Sequence, residues 1–128
     1  MTDPRSFLPL TPIAFQVLLA LVDSDRHGYG VIREVESRTN GRIRIRTGTL
    51  YTLLQRLLSE SLVEQAPVPD GAEPDPMDSR RKDDPRRRYY RLTPLGRSVL
   101  KAEAMRLESL VSDARRKRVI GGESKVTS

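Results

Sequence analysis

Five of the chain's nine prolines lie between positions 67 and 85, at Pro67, Pro69, Pro74, Pro76 and Pro85. Proline has no backbone N–H and a fixed φ, so neither a regular helix nor a central strand can run through this stretch. A chain of 128 residues suffices for one compact domain with a modest core and not for two. The stretch is therefore expected to be a long loop within a single domain. Loops of that length in small domains are functional or disordered, and here both are expected. The bland alternative is a solvated linker.

Charge within the stretch is ordered. Asp70, Glu73, Asp75 and Asp78 come first, followed by Arg80, Arg81, Lys82, Arg86, Arg87, Arg88 and Arg91. The chain-wide balance, 23 Lys and Arg against 17 Asp and Glu, gives +6 and conceals this polarity. Such an excess is modest for a nucleic-acid binder, and placement carries more information than the total. The acids are positioned to fold back on the basic run when no polyanion is bound. The absence of Cys excludes disulfides, thiol nucleophiles and cysteine-ligated zinc, and a single His excludes a histidine-rich metal site. No cofactor is expected. No apolar run approaches the ~20 residues that span a bilayer, and the N-terminus lacks a signal-peptide core, so a cytoplasmic chain is expected.

Around the loop, periodicity predicts helices and short strands. Thr11 and Pro12 form a capping pair for a first helix, IAFQVLLALV, apolar on almost every side and hence central. A second helix starts near His27 or Gly28, with Tyr29, Ile32 and Val35 recurring beside Val31, and ends at Asn40 and Gly41. Arg42–Arg46, RIRIR, alternates as a short strand would, with Ile43 and Ile45 inward. Thr47 then caps a third helix whose leucines at 50, 53, 54, 57 and 58 gather on one face. Thr52, Gln55, Arg56 and Ser59 fall opposite, with Thr49 and Tyr51 on the flanks.

Strand candidates LVEQA, from Leu62, and RYYRL, from Arg88, bracket the loop as an open hairpin. If Leu92 faces the core, period two turns Tyr90 inward and Tyr89 outward. Thr93 and Pro94 repeat the capping pair and open a last helix running to about Arg116. In it Leu100, Ala104, Leu107, Val111 and Ala114 step by 4, 3, 4, 3, a coiled-coil spacing. The fold class expected is mainly α with a small β-hairpin: a winged helix-turn-helix over 8–92, with an extended wing loop at 67–87 and a C-terminal dimerisation helix at 93–118. Residues 1–7 and 119–128 are expected to be disordered.

Several motifs in order carry a family resemblance: HGYGVIREV, GTLYTLLQRLLSESLVE and RRRYYRLTPLG. Across roughly residues 8–115 the chain resembles the PadR family of bacterial transcriptional regulators. The resemblance implies a homodimer built by the C-terminal helix packing on its counterpart and on the partner's first helix. It also implies repression through imperfect promoter palindromes in double-stranded DNA, and in many members release by a small aromatic compound or drug. Two features depart from the pattern. The wing is longer, so wing contacts do not transfer position by position, and with no Trp the stacking mode of drug sensing is unsupported.

Candidate DNA contacts follow from the third helix and the wing. Thr47, Gly48 and Thr49 offer free N–H groups and hydroxyls at a helix start, for phosphate or for plain capping. Thr52, Gln55 and Arg56 are the base-reading candidates, and Tyr51 either donates to phosphate or packs on the second helix. Arg44 and Arg46, with Arg86, Arg87, Arg88 and Arg91 of the wing, are backbone-contact candidates. Tyr89 belongs to the wing group too, although it and Tyr90 read more readily as cover for the hairpin. The dimer seam is Leu100, Ala104, Leu107, Val111 and Ala114. His27 reads as a cap or packed residue and not as a catalyst. Gly28 and Gly30 lack the third glycine and preceding strand of a dinucleotide loop. No catalysis is expected. Two rivals stand beside this reading: a winged-helix module that binds proteins without specific DNA binding, and a small hydrolase, for which nucleophile, base and orienting acid are not supplied.

Overall fold

The computed structural model describes residues 2–71 and 88–121. Helix α1 (Pro12–Ala20) begins as its capping pair predicts, with Thr11 Oγ1 accepting the Ala14 N–H at 3.1 Å. Ala14, Val17, Leu18 and Ala20 are buried and the intervening residues half-buried, so α1 is the centre of the core. Strand β1 (Arg26–His27) leads directly into α2 (Gly28–Arg38). His27 caps α2, its Nδ1 accepting the Gly30 N–H at 2.9 Å. Past α2, Asn40 and Gly41 adopt positive φ of 54° and 79°, and the Gly41 N–H closes on the Glu36 carbonyl at 2.8 Å. This is the left-handed ending that a glycine permits at no steric cost.

The RIRIR segment is not a strand. Ile45 is buried and Ile43 half-buried while Arg42, Arg44 and Arg46 are exposed, so the alternation sorts inside from outside as expected. It joins no strand of the sheet, whose order among the described residues is β1-β3-β2. The buried Thr39 hydroxyl holds it instead, donating to the Val35 carbonyl at 2.8 Å and accepting the Ile43 N–H at 3.1 Å. Helix α3 (Thr47–Ser59) follows, with Arg46 at the N-cap and no side-chain cap. Thr47 is thus the first helical residue and not the cap.

Strands β2 (Val63–Ala66) and β3 (Tyr89–Leu92) pair antiparallel in the register Val63↔Leu92 to Ala66↔Tyr89. On its other edge β3 pairs with β1, Arg26↔Tyr90 and His27↔Tyr89, a third strand the alternation pattern does not reveal. Tyr90 and Leu92 are buried and Tyr89 is half-buried, as the period-two argument requires. The Thr93 hydroxyl caps α4 (Pro94–Arg116), accepting the Gly96 N–H at 2.9 Å and donating to the Ser61 carbonyl at 2.6 Å.

Two expectations at the chain's periphery change. Pro4–Phe7, expected to be disordered, form a 3-10 turn against α4. Phe7, Leu8 and Leu10 then pack on the core, supplying the apolar burial that orders the segment. Leu100, assigned to the dimer seam, is only 6% exposed and belongs to the core within one protomer. The first half of α4 spends its apolar stripe on its own chain.

Candidate nucleic-acid interface

Helix α3 is held from behind by Leu50, Leu53, Leu54 and Leu57, all buried. This leaves Gly48, Thr49, Thr52, Gln55, Arg56 and Ser59 exposed. Arg56 is 53% exposed, its Nε 3.9 Å from Glu60 Oε1, a loose surface pair that leaves the guanidinium available. Beside the helix start, Arg46 is exposed and Arg44 reaches Glu36 at 3.4 Å. Thr47 is half-buried.

Tyr51 faces inward. A Cβ placed on Gly28 would lie 2.2 Å from its Oη, so the tyrosine closes onto the start of α2 in the space that Gly28 leaves. Of the two sequence readings of Tyr51, packing on the second helix is the one its position matches.

The wing residues separate. Arg88 and Tyr89 are half-buried at the start of β3, and the Tyr89 ring meets His27 edge-on with centroids 5.3 Å apart. Arg91 is turned back on the body of the protein, with Nη2 donating to Asp25 Oδ2 at 3.1 Å. Its Nε meets no acceptor among the described residues. Arg86, Arg87, the acids at 73, 75 and 78 and the bases at 80 to 82 lie outside the described residues.

The structure adds residues that periodicity does not single out. A recess of about 490 Å³ opens between α3 and the first turn of α1, lined by Thr11, Ile13, Gly48, Thr49, Thr52, Leu53 and Arg56. On the other side of the same turn, Leu10, Pro12, Phe15 and Gln16 join Glu103, Arg106 and Leu107 of α4 around a second recess of about 390 Å³. Phe15 thus lines the space between the first and last helices, whereas Met105 lies elsewhere on α4, beside Asp3, Pro4 and Arg5.

Glu103 is 2% exposed and fully bonded. Arg106 clamps both its oxygens, at 2.6 and 3.0 Å, and Oε2 also accepts the Leu10 N–H at 3.0 Å. The Arg106 hydrogen bonds, reinforced by the Leu10 N–H, outweigh burial and hold the carboxyl below the ordinary value. Further along α4, Leu107 and Ala114 are half-buried, Ala104 is exposed, and Val111 is 43% exposed.

No cluster of three or more metal-ligating side chains occurs among the described residues, and no described helix is long and apolar enough to cross a membrane.

Three helices, the third anchored by leucines and presenting a polar face, with a small antiparallel sheet and a long last helix, define a winged helix-turn-helix protein. Solved structures share this arrangement. A transcriptional regulator from Clostridium thermocellum superposes with a TM-score of 0.63 at 22% identity, covering 91% of this chain and 93% of its own. A PadR family transcription regulator from Clostridium difficile R20291 gives 0.61 at 20% identity, covering 83% and 97%. In sequence, an uncharacterized protein of Lysinibacillus sphaericus is 33% identical over 86 residues, which span 66% of this chain and 67% of that protein. The family model of the PadR-like transcriptional regulators matches residues 17–102, and the chain belongs to that family. It is a family of transcriptional regulators and not of enzymes.

Proposed function

We propose that the chain is a homodimeric, sequence-specific DNA-binding repressor that sets its α3 helices in successive major grooves of a promoter palindrome. The observation that carries this reading is α3 itself: four buried leucines fix its back, and Thr52, Gln55 and Arg56 stand exposed on its front. Gln suits adenine and Arg suits guanine in the major groove. Arg44 and Arg46 stand beside the helix start for backbone phosphates, with the Gly48 and Thr49 N–H groups at the start itself. Arg86, Arg87, Arg88 and Tyr89 of the wing complete the backbone contacts.

Dimerisation through α4 places the seam in its second half, where Leu107, Val111 and Ala114 continue the stripe beyond the protomer's own core and Leu110 adds exposed apolar surface. Ala104 stands at the start of this stretch. The recess between α1 and α4 is the place for a small aromatic effector whose binding releases DNA.

Selection of duplexes from a random-sequence pool, followed by footprinting of the promoter beside the gene, tests the reading. A palindromic site is expected. Gln55→Ala and Arg56→Ala should each lower the preference for that site over scrambled DNA by about 1 to 3 kcal/mol. Failure to enrich any duplex, with salt-insensitive capture of a protein instead, would favour the protein-interaction module.

A further inference from the structure

Resting on the reading that α3 enters the major groove, we infer that the first turn of α1 is a DNA-contacting element. In this inference the recess it forms with α3 seats the sugar–phosphate backbone along one side of that groove. Along the exposed face of α3, Gly48, Thr52, Gln55 and Ser59 form a single row, spaced by four, three and four residues. An α-helix with its side chains is about 10–12 Å across and the major groove about 12 Å wide, so the helix fills the groove. A surface beside that row therefore meets the strand backbone and not base edges.

The recess lies beside it. Its lining suits a deoxyribose phosphate: hydroxyls from Thr11 and Thr49 and apolar surface from Ile13 and Leu53, with no carboxylate, while Thr52 and Arg56, the base readers of the proposed function, bound it on the groove side. The Thr11 oxygen already accepts the Ala14 N–H at 3.1 Å, which leaves its O–H to donate outward. Gly48 keeps the wall low on the α3 side, where an added Cβ would meet nothing within 4 Å. The turn is fixed before DNA arrives, because the Leu10 N–H is bound at 3.0 Å by Glu103, itself buried and clamped by Arg106. Pre-ordering of this kind lowers the entropic cost of the contact.

The test compares Thr11→Asp with Thr11→Asn. Both residues are good N-caps, so the start of α1 is preserved in each, and only Asp sets a negative charge toward the recess. Binding of the intact chain to the duplex obtained by selection, and to mixed-sequence duplex, is measured by fluorescence anisotropy over a salt series, with circular dichroism reporting the fold. Thr11→Asp is expected to weaken both duplexes on the order of tenfold at low salt and to flatten the log K against log salt slope by about 0.9, whereas Thr11→Asn stays near wild type. Equal affinities for the two variants, both folded, would overturn the inference and leave the α3 reading standing. Failure of the wild-type chain to bind either duplex would overturn both.

Discussion

Two glycines near helix starts offer a matched comparison between a position the fold constrains and one it leaves open. Gly48 is the second residue of α3 and Gly96 the third of α4. At Gly96 an added Cβ would stand 1.9 Å from the Leu62 carbonyl oxygen and 2.9 Å from its carbon, both backbone atoms that cannot swing aside. Relief requires α4 to part from the start of β2. That movement strains the bond from the Thr93 N–H to Leu62 O at 3.2 Å and the one from the Thr93 hydroxyl to Ser61 O. Overpacking costs about 1–3 kcal/mol, and each weakened hydrogen bond adds about 1 kcal/mol. Alanine returns at most about 1 kcal/mol through helix propensity. Gly96→Ala should therefore destabilise the fold by about 2–4 kcal/mol.

At Gly48 the added methyl meets nothing within 4 Å, so only the propensity gain of about 0.4–1 kcal/mol remains. Urea unfolding followed by circular dichroism should move the two midpoints in opposite directions. Anisotropy on the selected duplex should then show Gly48→Ala binding more weakly despite its greater stability, because the methyl occupies the space proposed for the DNA backbone. Unchanged stability in Gly96→Ala would refute the packing argument. Unchanged affinity in Gly48→Ala would refute a close DNA approach at the start of α3.

Glu103 gives a pH signature: its carboxyl is held below the ordinary 4.5 in the folded state, so its stabilising contribution is complete above that value and disappears as pH falls through the folded one. Urea midpoints of wild type should therefore fall more steeply below pH 4.5 than those of Glu103→Gln, which at neutral pH is less stable by about 1–3 kcal/mol. Parallel decline of the two would contradict the assignment. In α4, Val111→Asp should yield folded monomers by sedimentation with DNA affinity falling in step, whereas Leu100→Ala should cost about 2–5 kcal/mol of stability through a cavity in the protomer core. A Val111→Asp dimer would move the seam elsewhere. Neutralising Arg44 and Arg46 should flatten the salt dependence of DNA binding by about 0.9 for each phosphate that loses its counter-charge, while Arg91→Ala, which removes the pair with Asp25, leaves the slope unchanged. A slope altered equally by Arg91→Ala would place that residue on the DNA.

What could be read from the sequence was local, and what could not was relational. Thr11 with Pro12 and Thr93 with Pro94 announce two helix starts because a cap lies within three residues of what it bonds. The leucines of α3 declare its buried face through their spacing. In RIRIR the same logic assigns inside and outside correctly and predicts a strand that does not form, since alternation says nothing about whether a neighbouring strand is there to pair. Strand β1, two residues long, carries no periodic signal at all. A heptad stripe likewise cannot tell an intramolecular neighbour from a second copy: Leu100, which it sets in the seam, is buried within its own chain. Glu103 looks like one more surface acid in a helix until a backbone N–H 93 residues away reaches it. Thr11 and Ile13 join the site for the same reason: only folding brings the first turn of α1 beside α3.

Strand β3 has neighbours on both sides, and its register with β2 ends at Ala66↔Tyr89. The two ends of the proline-rich connection are therefore held side by side by a sheet that pairs both edges of β3. Closing such a connection costs entropy only as the logarithm of its length, about 0.6 kcal/mol for each doubling. Lengthening, recharging or re-sequencing that connection should therefore carry little thermodynamic penalty and leave the position of α3 unchanged.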